Sequence, residues 1–327
     1  MKYTVLSLFS GCGGMDLGIE GGFRFLSKNY KSLPFRVVQA LDFDKRVVDI
    51  YNLNFRKKCE LRNILETTTD EIEKHEIMIG GFPCQSFSIV AQNPKRLGWK
   101  DNKGKLFFEM CRILKAKKPK VFIAENVKGL LSANKGEAFK LILSEFEKVG
   151  YSIKFKLLNS VDYGVPQKRE RVFIVGFRRK KDYKLFEFPS PSHNETYQSK
   201  ISQILEPEED VPEKYFFSEK AVQGMKNTKH SKSMNKGRAQ NINKPCNTVG
   251  AHLAKTSLNS TDPVLKLNER YRMFTPREVA RIQSFPDKFK LAESKASNYI
   301  ALGNAVPPVM MWHVANQVLN VLEKNEN

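Results

Sequence analysis

The chain has 327 residues, with 55 Lys and Arg set against 35 Asp and Glu, for a formal charge of +20. That length holds one large core with a smaller domain attached, and so large an excess of positive charge strains the compact state and points to a polyanionic partner, nucleic acid ahead of an anionic membrane surface. The basic residues are dispersed rather than gathered on one amphipathic helix, and no apolar stretch reaches spanning length, which argues against a membrane-spanning helix and against a surface-bound protein.

Met1 to Thr4 runs straight into an apolar strand, leaving no room for a signal peptide. Val5 to Phe9 reads as that strand, and Ser10-Gly11-Cys12-Gly13-Gly14 as a glycine turn into a helix starting near Met15-Asp16. Strand, glycine loop and helix start form a seat for a nucleotide-like cofactor, because glycines let the backbone approach a ligand and the helix start offers free N–H groups. The spacing matches neither Gly-x-Gly-x-x-Gly nor a phosphate-gripping loop, so a tight turn without a ligand stays open. A second strand, Arg36 to Leu41, runs into Asp42-Phe43-Asp44. An acid at this strand end is placed to bind ribose hydroxyls and an aromatic beside it to stack on a purine; a helix cap followed by a core aromatic is the alternative. Asp44-Lys45 opens a helix through Leu53, and the following Glu60 to Ile64 has no clear pattern.

The apolar run Ile77-Met78-Ile79 stops at Gly80-Gly81 and is followed by Phe82-Pro83-Cys84-Gln85-Ser86. Such a run fits a buried parallel strand, and Pro83 limits the directions open to the residue after it. Cys84 is read as a nucleophile, against the alternative of a small buried cysteine near a turn. Next, the polar stretch from Ala91 to Gly104 has no sustained period, as expected of a basic lid closing over a polyanion or of a surface excursion. Leu106, Phe107, Met110, Cys111 and Leu114 recur at helical spacing before Pro119, and Val121 to Ala124 is a further strand closing on Glu125-Asn126-Val127. Glu125, at the same sheet edge as Cys84, is a candidate acid or a helix cap.

Gly136 to Val149 reads as a helix and Ile153 to Leu158 as a strand, and Asp162 to Arg171 then feeds the strand Val172 to Phe177. Arginines at this edge would stabilise anions and lower a thiol pKa, unless they form a solvated turn. Alternation stops near Arg178, suggesting a domain boundary. Lys220 to Thr261 holds eight Lys and Arg and no acid, among amides and hydroxyls, which favours contact with bases and phosphates over a plain solvated face. A helix follows Thr275-Pro276, and Tyr299 to Pro308 leads into a last apolar helix through Met311, Val314, Val318 and Leu322. The five cysteines are widely spaced with no Cys-x-x-Cys pair, and no two of the five histidines stand three or four apart, so neither a disulfide framework nor a metal site is expected.

Taken in order, the Phe9-to-Gly14 loop, Asp42-Phe43, Pro83-Cys84-Gln85, Glu125-Asn126-Val127, Gln167-Lys168-Arg169-Glu170-Arg171, the Arg277-to-Pro286 block and Gly303-Asn304-Ala305-Val306 resemble the motifs of bacterial cytosine-C5 DNA methyltransferases of restriction-modification systems, over nearly the whole chain. The resemblance implies an α/β fold: a Rossmann-like S-adenosyl-L-methionine-dependent methyltransferase sheet over 1–178, a smaller inserted target-recognition domain over 179–270, and a segment, 271–327, returning to the first domain. It implies that Cys84 adds to C6 of a cytosine flipped out of double-stranded DNA, that Glu125 holds or protonates N3, and that Arg169 and Arg171 contact the base carbonyl and nearby groups. Phe9, Gly11, Gly13, Gly14, Asp42, Phe43, Asn63, Pro83 and Asn304 would surround the cofactor.

Several positions depart from the family's common pattern. Asp42 stands where many members have Glu, Phe43 where they often have Trp, Asn63 where they usually have Asp and Ala305 where Ser is frequent. Pro245 to Val249 resembles the short signature of the recognition region, with Arg238, Gln240, Asn241 and Thr248 as candidates for reading bases. The resemblance further implies a monomer with no obligate protein partner in the bacterial cytoplasm, protecting host DNA from a cognate restriction enzyme. The RNA-directed branch carries a Cys-Phe-Thr segment that is absent from this chain.

Overall fold

In the computed structural model, residues 3–83, 102–192, 199–227, 238–253, 262–268 and 270–324 are described. Seven strands build the main sheet: β1 (Tyr3–Leu8), β2 (Phe35–Asp42), β3 (Cys59–Leu61), β4 (Ile77–Gly80), β5 (Val121–Val127), β6 (Ser152–Asn159) and β7 (Glu170–Phe177). Their order across the sheet is β3-β2-β1-β4-β5-β7-β6, parallel throughout except for β7, which runs antiparallel to both neighbours. The order reverses between β1 and β4, so the loops after these two strands leave side by side. A crevice at such a reversal is where open α/β sheets bind ligands.

The apolar runs are continuous because both faces of the sheet are covered. Successive side chains point to opposite faces: Val5, Ile77, Ile79, Ile123 and Phe173 enter one core, while Leu6, Met78, Phe122 and Val172 enter the other. Each fully buried aliphatic side chain contributes roughly 1.5–3 kcal/mol. The nine helices among the described residues are α1 (Gly14–Glu20), α2 (Lys45–Asn54), α3 (Asn102–Lys117), α4 (Glu137–Lys148), α5 (Lys180–Leu185), α6 (Glu219–Asn227), α7 (Pro276–Ile282), α8 (Lys295–Asn304) and α9 (Pro308–Glu323). Residues of α1 and α9 line the first core, and residues of α3 and α4 the second.

The final helix lies on the first one, and two glycines allow the approach. A Cβ on Gly18 would stand 2.5 Å from Met311 Cβ, and one on Gly14 only 2.2 Å from the Val306 carbonyl oxygen. The C-terminal segment therefore returns to the glycine loop at the start of the chain, so the main core is built from both ends of the sequence. Besides a hairpin of Phe23–Phe25 with Lys28–Tyr30, two small sheets hold Ala239–Gln240 with Val264–Leu267 and Arg270–Arg272, and Cys246–Asn247 with Gln167–Lys168. These fit the smaller inserted domain expected from the sequence. Packing of the first core runs past Arg178, where the end of strand–helix alternation suggested a boundary: Phe186 is fully buried in it, with its ring centroid 5.1 Å from that of Phe177.

Candidate active site

The ends of β1, β4 and β5 and the start of β7 meet at one edge of the sheet. Glu125, near the end of β5, is buried, and Arg171 is held opposite by the β5–β7 register, which pairs Arg171 with Val127. Arg171 Nε lies 3.0 Å from Glu125 Oε1, and its Nη1 donates to the Glu170 carbonyl at 2.7 Å. Burial pushes the Glu125 carboxyl above its ordinary pKa, and the guanidinium groups of Arg171 and Arg169 offset part of that rise. A carboxyl so placed keeps its proton to higher pH than usual, which suits a hydrogen-bond donor or a general acid.

The backbone after β4 runs along this pair. A Cβ on Gly81 would come 3.2 Å from Glu125 Oε2, so a glycine keeps the carboxyl close to the chain. Asn126 Nδ2 donates to the Phe82 carbonyl at 2.8 Å, tying the end of β5 to the peptide that precedes Pro83. Asn126 was not singled out in the sequence, because the tie joins residues remote along the chain. Pro83 is half-buried, and Cys84 and the basic stretch after it as far as Asp101 lie outside the described residues; the last three residues of that stretch, Asn102 to Gly104, open α3. The four described cysteines are poor nucleophiles: Cys12, Cys59, Cys111 and Cys246 are all buried, and burial pushes the thiols of Cys12 and Cys111 up to about 12 and raises the other two further.

Arg169 departs from its expected place. It is 2% exposed and turned into the protein, where Nη1 donates to the Val249 carbonyl and Nη2 to those of Gly303 and Ala305, each at 3.0 Å. With both Nη groups on backbone carbonyls it ties its own strand to the Val249 and Gly303–Ala305 segments, while its buried Nε has no hydrogen-bond partner. Arg171 alone of the two keeps its guanidinium on the Glu125 carboxylate.

A second group lines a cleft beside the end of β1: Phe9, Asp42, Phe43, Asn63, Ile64 and Leu106 are among its walls. Phe9 has φ of 54°, a left-handed conformation that costs a non-glycine residue about 1–3 kcal/mol and turns the chain sharply out of β1. Asp42 accepts from the Gly11 N–H at 2.8 Å and from the Asp44 N–H at 2.9 Å, and burial raises its pKa. Two bonds leave a carboxylate with acceptor capacity for hydroxyl groups. Phe43 is 66% exposed, an unusual state for so large an apolar ring and one suited to covering a planar ligand. Asn63 caps the turn that follows, its oxygen accepting from the Leu65 N–H and its amide donating to Glu66. Its oxygen has one lone pair left to accept from an amino group.

An acceptor pair, an exposed aromatic and an apolar floor fit the adenosine half of S-adenosyl-L-methionine. Gly11 joins this cleft through its N–H on Asp42, while Gly13 and Gly14 pack against Phe55 and the Val306 carbonyl. Pro83 and Asn304 do not line the cleft; Asn304 is exposed at the end of α8, two residues before that carbonyl.

Of the recognition candidates, Arg238 and Gln240 are buried. Arg238 Nε donates to the Asp262 carbonyl at 2.9 Å, and Gln240 donates to the Arg238 carbonyl and accepts from the Asn247 N–H. They hold the small sheet together, with both amide atoms of Gln240 bonded to backbone. Asn241 and Thr248 are exposed, with Thr248 Oγ1 donating to the Lys168 carbonyl at 2.6 Å. Two buried glutamines, inside motif blocks quoted from the sequence but given no role there, bond to each other: Gln167 Nε2 donates to Gln283 Oε1 at 2.8 Å, and Gln283 donates to the Leu302 carbonyl. Among the described residues no cluster of His, Cys, Asp and Glu could hold a metal, and no helix is long and apolar enough to cross a membrane.

Residues 3–320 match the family model of the C-5 cytosine-specific DNA methylase. The Type II methyltransferase M.FnuDI of Fusobacterium nucleatum is 37% identical over 98% of this chain and 96% of its own length. M1.ScrFI of Lactococcus lactis subsp. cremoris, also a Type II methyltransferase, is 35% identical over 99% of this chain and 80% of its own. Among solved structures, the Entamoeba histolytica methyltransferase EhMeth superposes with a TM-score of 0.77 at 20% identity, covering 98% of this chain and 99% of that one. The Dnmt2 methyltransferase of S. pombe gives 0.73 at 19% identity over the whole of both chains, and these two likenesses speak for the fold. The chain belongs to the C-5 cytosine-specific DNA methylase family, and it is a DNA (cytosine-5-)-methyltransferase whose methyl donor is S-adenosyl-L-methionine.

Proposed function

We propose that Cys84 is the nucleophile of this enzyme, with Glu125 and Arg171 as the groups that activate the base. The thiolate of Cys84 adds to C6 of a cytosine turned out of the duplex, while Glu125 delivers a proton to N3 and Arg171 holds the ring carbonyl. Electron density then rests on C5 in place of the unreactive aromatic ring. Bound S-adenosyl-L-methionine supplies an electrophilic methyl group to that carbon. Water takes the C5 proton, N3 returns its proton to Glu125, and departure of Cys84 Sγ as the thiolate restores the ring and frees the enzyme. Extrusion of the base costs a few kcal/mol of stacking and pairing.

The observation that carries this reading is the Glu125–Arg171 pair, nearly buried and set against the Gly81–Pro83 backbone that leads into Cys84. Phe9, Asp42, Phe43 and Asn63 would hold the adenosine half of the cofactor, and Gly13, Gly14, Pro83 and Asn304 the remaining wall. Exposed Asn241 and Thr248 stay as candidates for contacting bases. The division into a catalytic part, an inserted recognition part and a returning C-terminal segment is supported by the packing of α9 on α1.

Because the relatives it resembles are bacterial Type II methyltransferases, we infer that the enzyme methylates a short duplex site in the bacterial cytoplasm and protects host DNA from a cognate restriction enzyme. The test is to expose unmethylated genomic DNA to the purified enzyme with S-adenosyl-L-methionine and to map the product by sequencing. The expected result is 5-methylcytosine at one short motif; methylation at N4 of cytosine, at adenine or only of RNA would overturn it.

A further inference from the structure

The peptide that carries Asn304 is gripped on both sides by one buried side chain. Arg169 Nη2 binds the carbonyls of Gly303 and Ala305, and Nη1 of the same guanidinium binds that of Val249, next to the exposed Thr248. Neighbouring contacts tie the same segments. Gln167 Oε1 accepts from the Val249 N–H at 2.9 Å, and Cys246–Asn247 pairs in parallel with Gln167–Lys168. A Cβ on Gly303 would stand 2.3 Å from both Ala251 N and the Gly250 carbonyl carbon, so the two backbones touch.

A cation is a costly way to join three neutral carbonyls. Its burial without a directly bound carboxylate is unfavourable, since the nearby Glu125 is already paired with Arg171. Its planar fork, however, fixes the three acceptors relative to one another, which no pairwise contact does.

We infer that Arg169 is a positioning residue that couples the two ligands, transmitting the seating of DNA on the Thr248–Ala251 segment to the cofactor wall at Asn304, and the reverse. The inference rests on the reading above of Asn304 as cofactor wall and of the Thr248 segment as DNA-facing. Coupling is reciprocal: whatever DNA does for cofactor affinity, the cofactor does for DNA affinity.

The test measures S-adenosyl-L-homocysteine affinity by calorimetry, with and without saturating duplex carrying the mapped methylation site. For the natural enzyme DNA should tighten binding by about fivefold or more. Arg169→Met should leave a ratio near one, and Arg169→Lys, which keeps the charge but not the fork, an intermediate ratio. Gly303→Ala keeps Arg169 and wedges the two backbones apart, so it should also lose the coupling, and it serves if Arg169→Met does not fold. A ratio of one in the natural enzyme would overturn the inference. So would Arg169→Met if both affinities fell while the natural ratio persisted, which is the mark of a merely structural brace. Unchanged affinity in Asn304→Ala would instead remove the cofactor wall, and the coupling with it.

Discussion

Arg171 Nε stands 3.0 Å from Glu125 Oε1 in a pair whose side chains are 12% and 11% exposed. The pair is strong enough to orient the carboxyl but does not cancel the effect of burial, since the Glu125 pKa still lies above its ordinary value. One oxygen is paired, and the other faces the Gly81 backbone. A group built this way can donate a proton to a ring nitrogen and recover it.

Glu125→Gln keeps the shape and a hydrogen bond to Arg171 but has no proton to deliver. Its kcat should fall by roughly 10²–10⁴. The protonated acid is present at low pH and is lost as pH rises through the raised pKa, so the natural enzyme should show a limb of kcat that declines with rising pH. In Glu125→Gln that limb should be absent. A variant with near-natural kcat and an unchanged profile would remove Glu125 from the chemistry.

Asp42 holds the glycine loop through Gly11 and still has acceptor capacity toward the cleft. Replacing it by Ala removes both, and a lost charge-assisted bond of about 1.5–3 kcal/mol corresponds to roughly 10- to 150-fold weaker cofactor binding. Calorimetry with S-adenosyl-L-homocysteine checks this. Less than a twofold change would move the ribose away from Asp42.

Asp16 is fully buried, accepting from Ser7 Oγ and Tyr51 Oη, and burial raises its pKa to about 7. The folded state therefore holds this proton more tightly than the unfolded chain. Its contribution is full below about pH 4 and is lost as pH rises through about 7, on the order of a few kcal/mol. Urea unfolding at pH 5 and pH 8 should show the natural protein losing more stability over that interval than Asp16→Asn. Equal losses would show that the carboxyl is already ionised at pH 5.

How legible the site was in the sequence depended on side-chain length. Strand ends announce themselves, since an apolar run stopping at Gly80-Gly81 or at Glu125 fixes where a short side chain stands. Long side chains do not. Arg169 and Arg171 are two residues apart on adjoining stretches of backbone, yet only Arg171 pairs with Glu125 while Arg169 turns into the protein. Arg238 and Gln240 looked like base readers by residue type, but their partners, Asp262 and Asn247, come from chain positions that pattern cannot relate to them. The three-residue strand β3 and the helix α8 passed unread, the first for its shortness and the second because Gly303 sits inside its last turn.

The charge of +20 should appear in solution as counterion release. If five or more phosphates are neutralised, log affinity for duplex DNA should fall with log salt at a slope of about −4 or steeper. A slope near zero between low and moderate salt would mean that the excess charge serves another partner.

The most direct test of the central claim is intact-mass analysis of enzyme incubated with S-adenosyl-L-methionine and a duplex carrying 5-fluorocytosine at the methylated position, where fluorine blocks the final proton loss. The account predicts a covalent protein–DNA species that peptide mapping locates at Cys84 and that is absent from Cys84→Ala. An adduct that persists in Cys84→Ala, or one mapped to another cysteine, would contradict it.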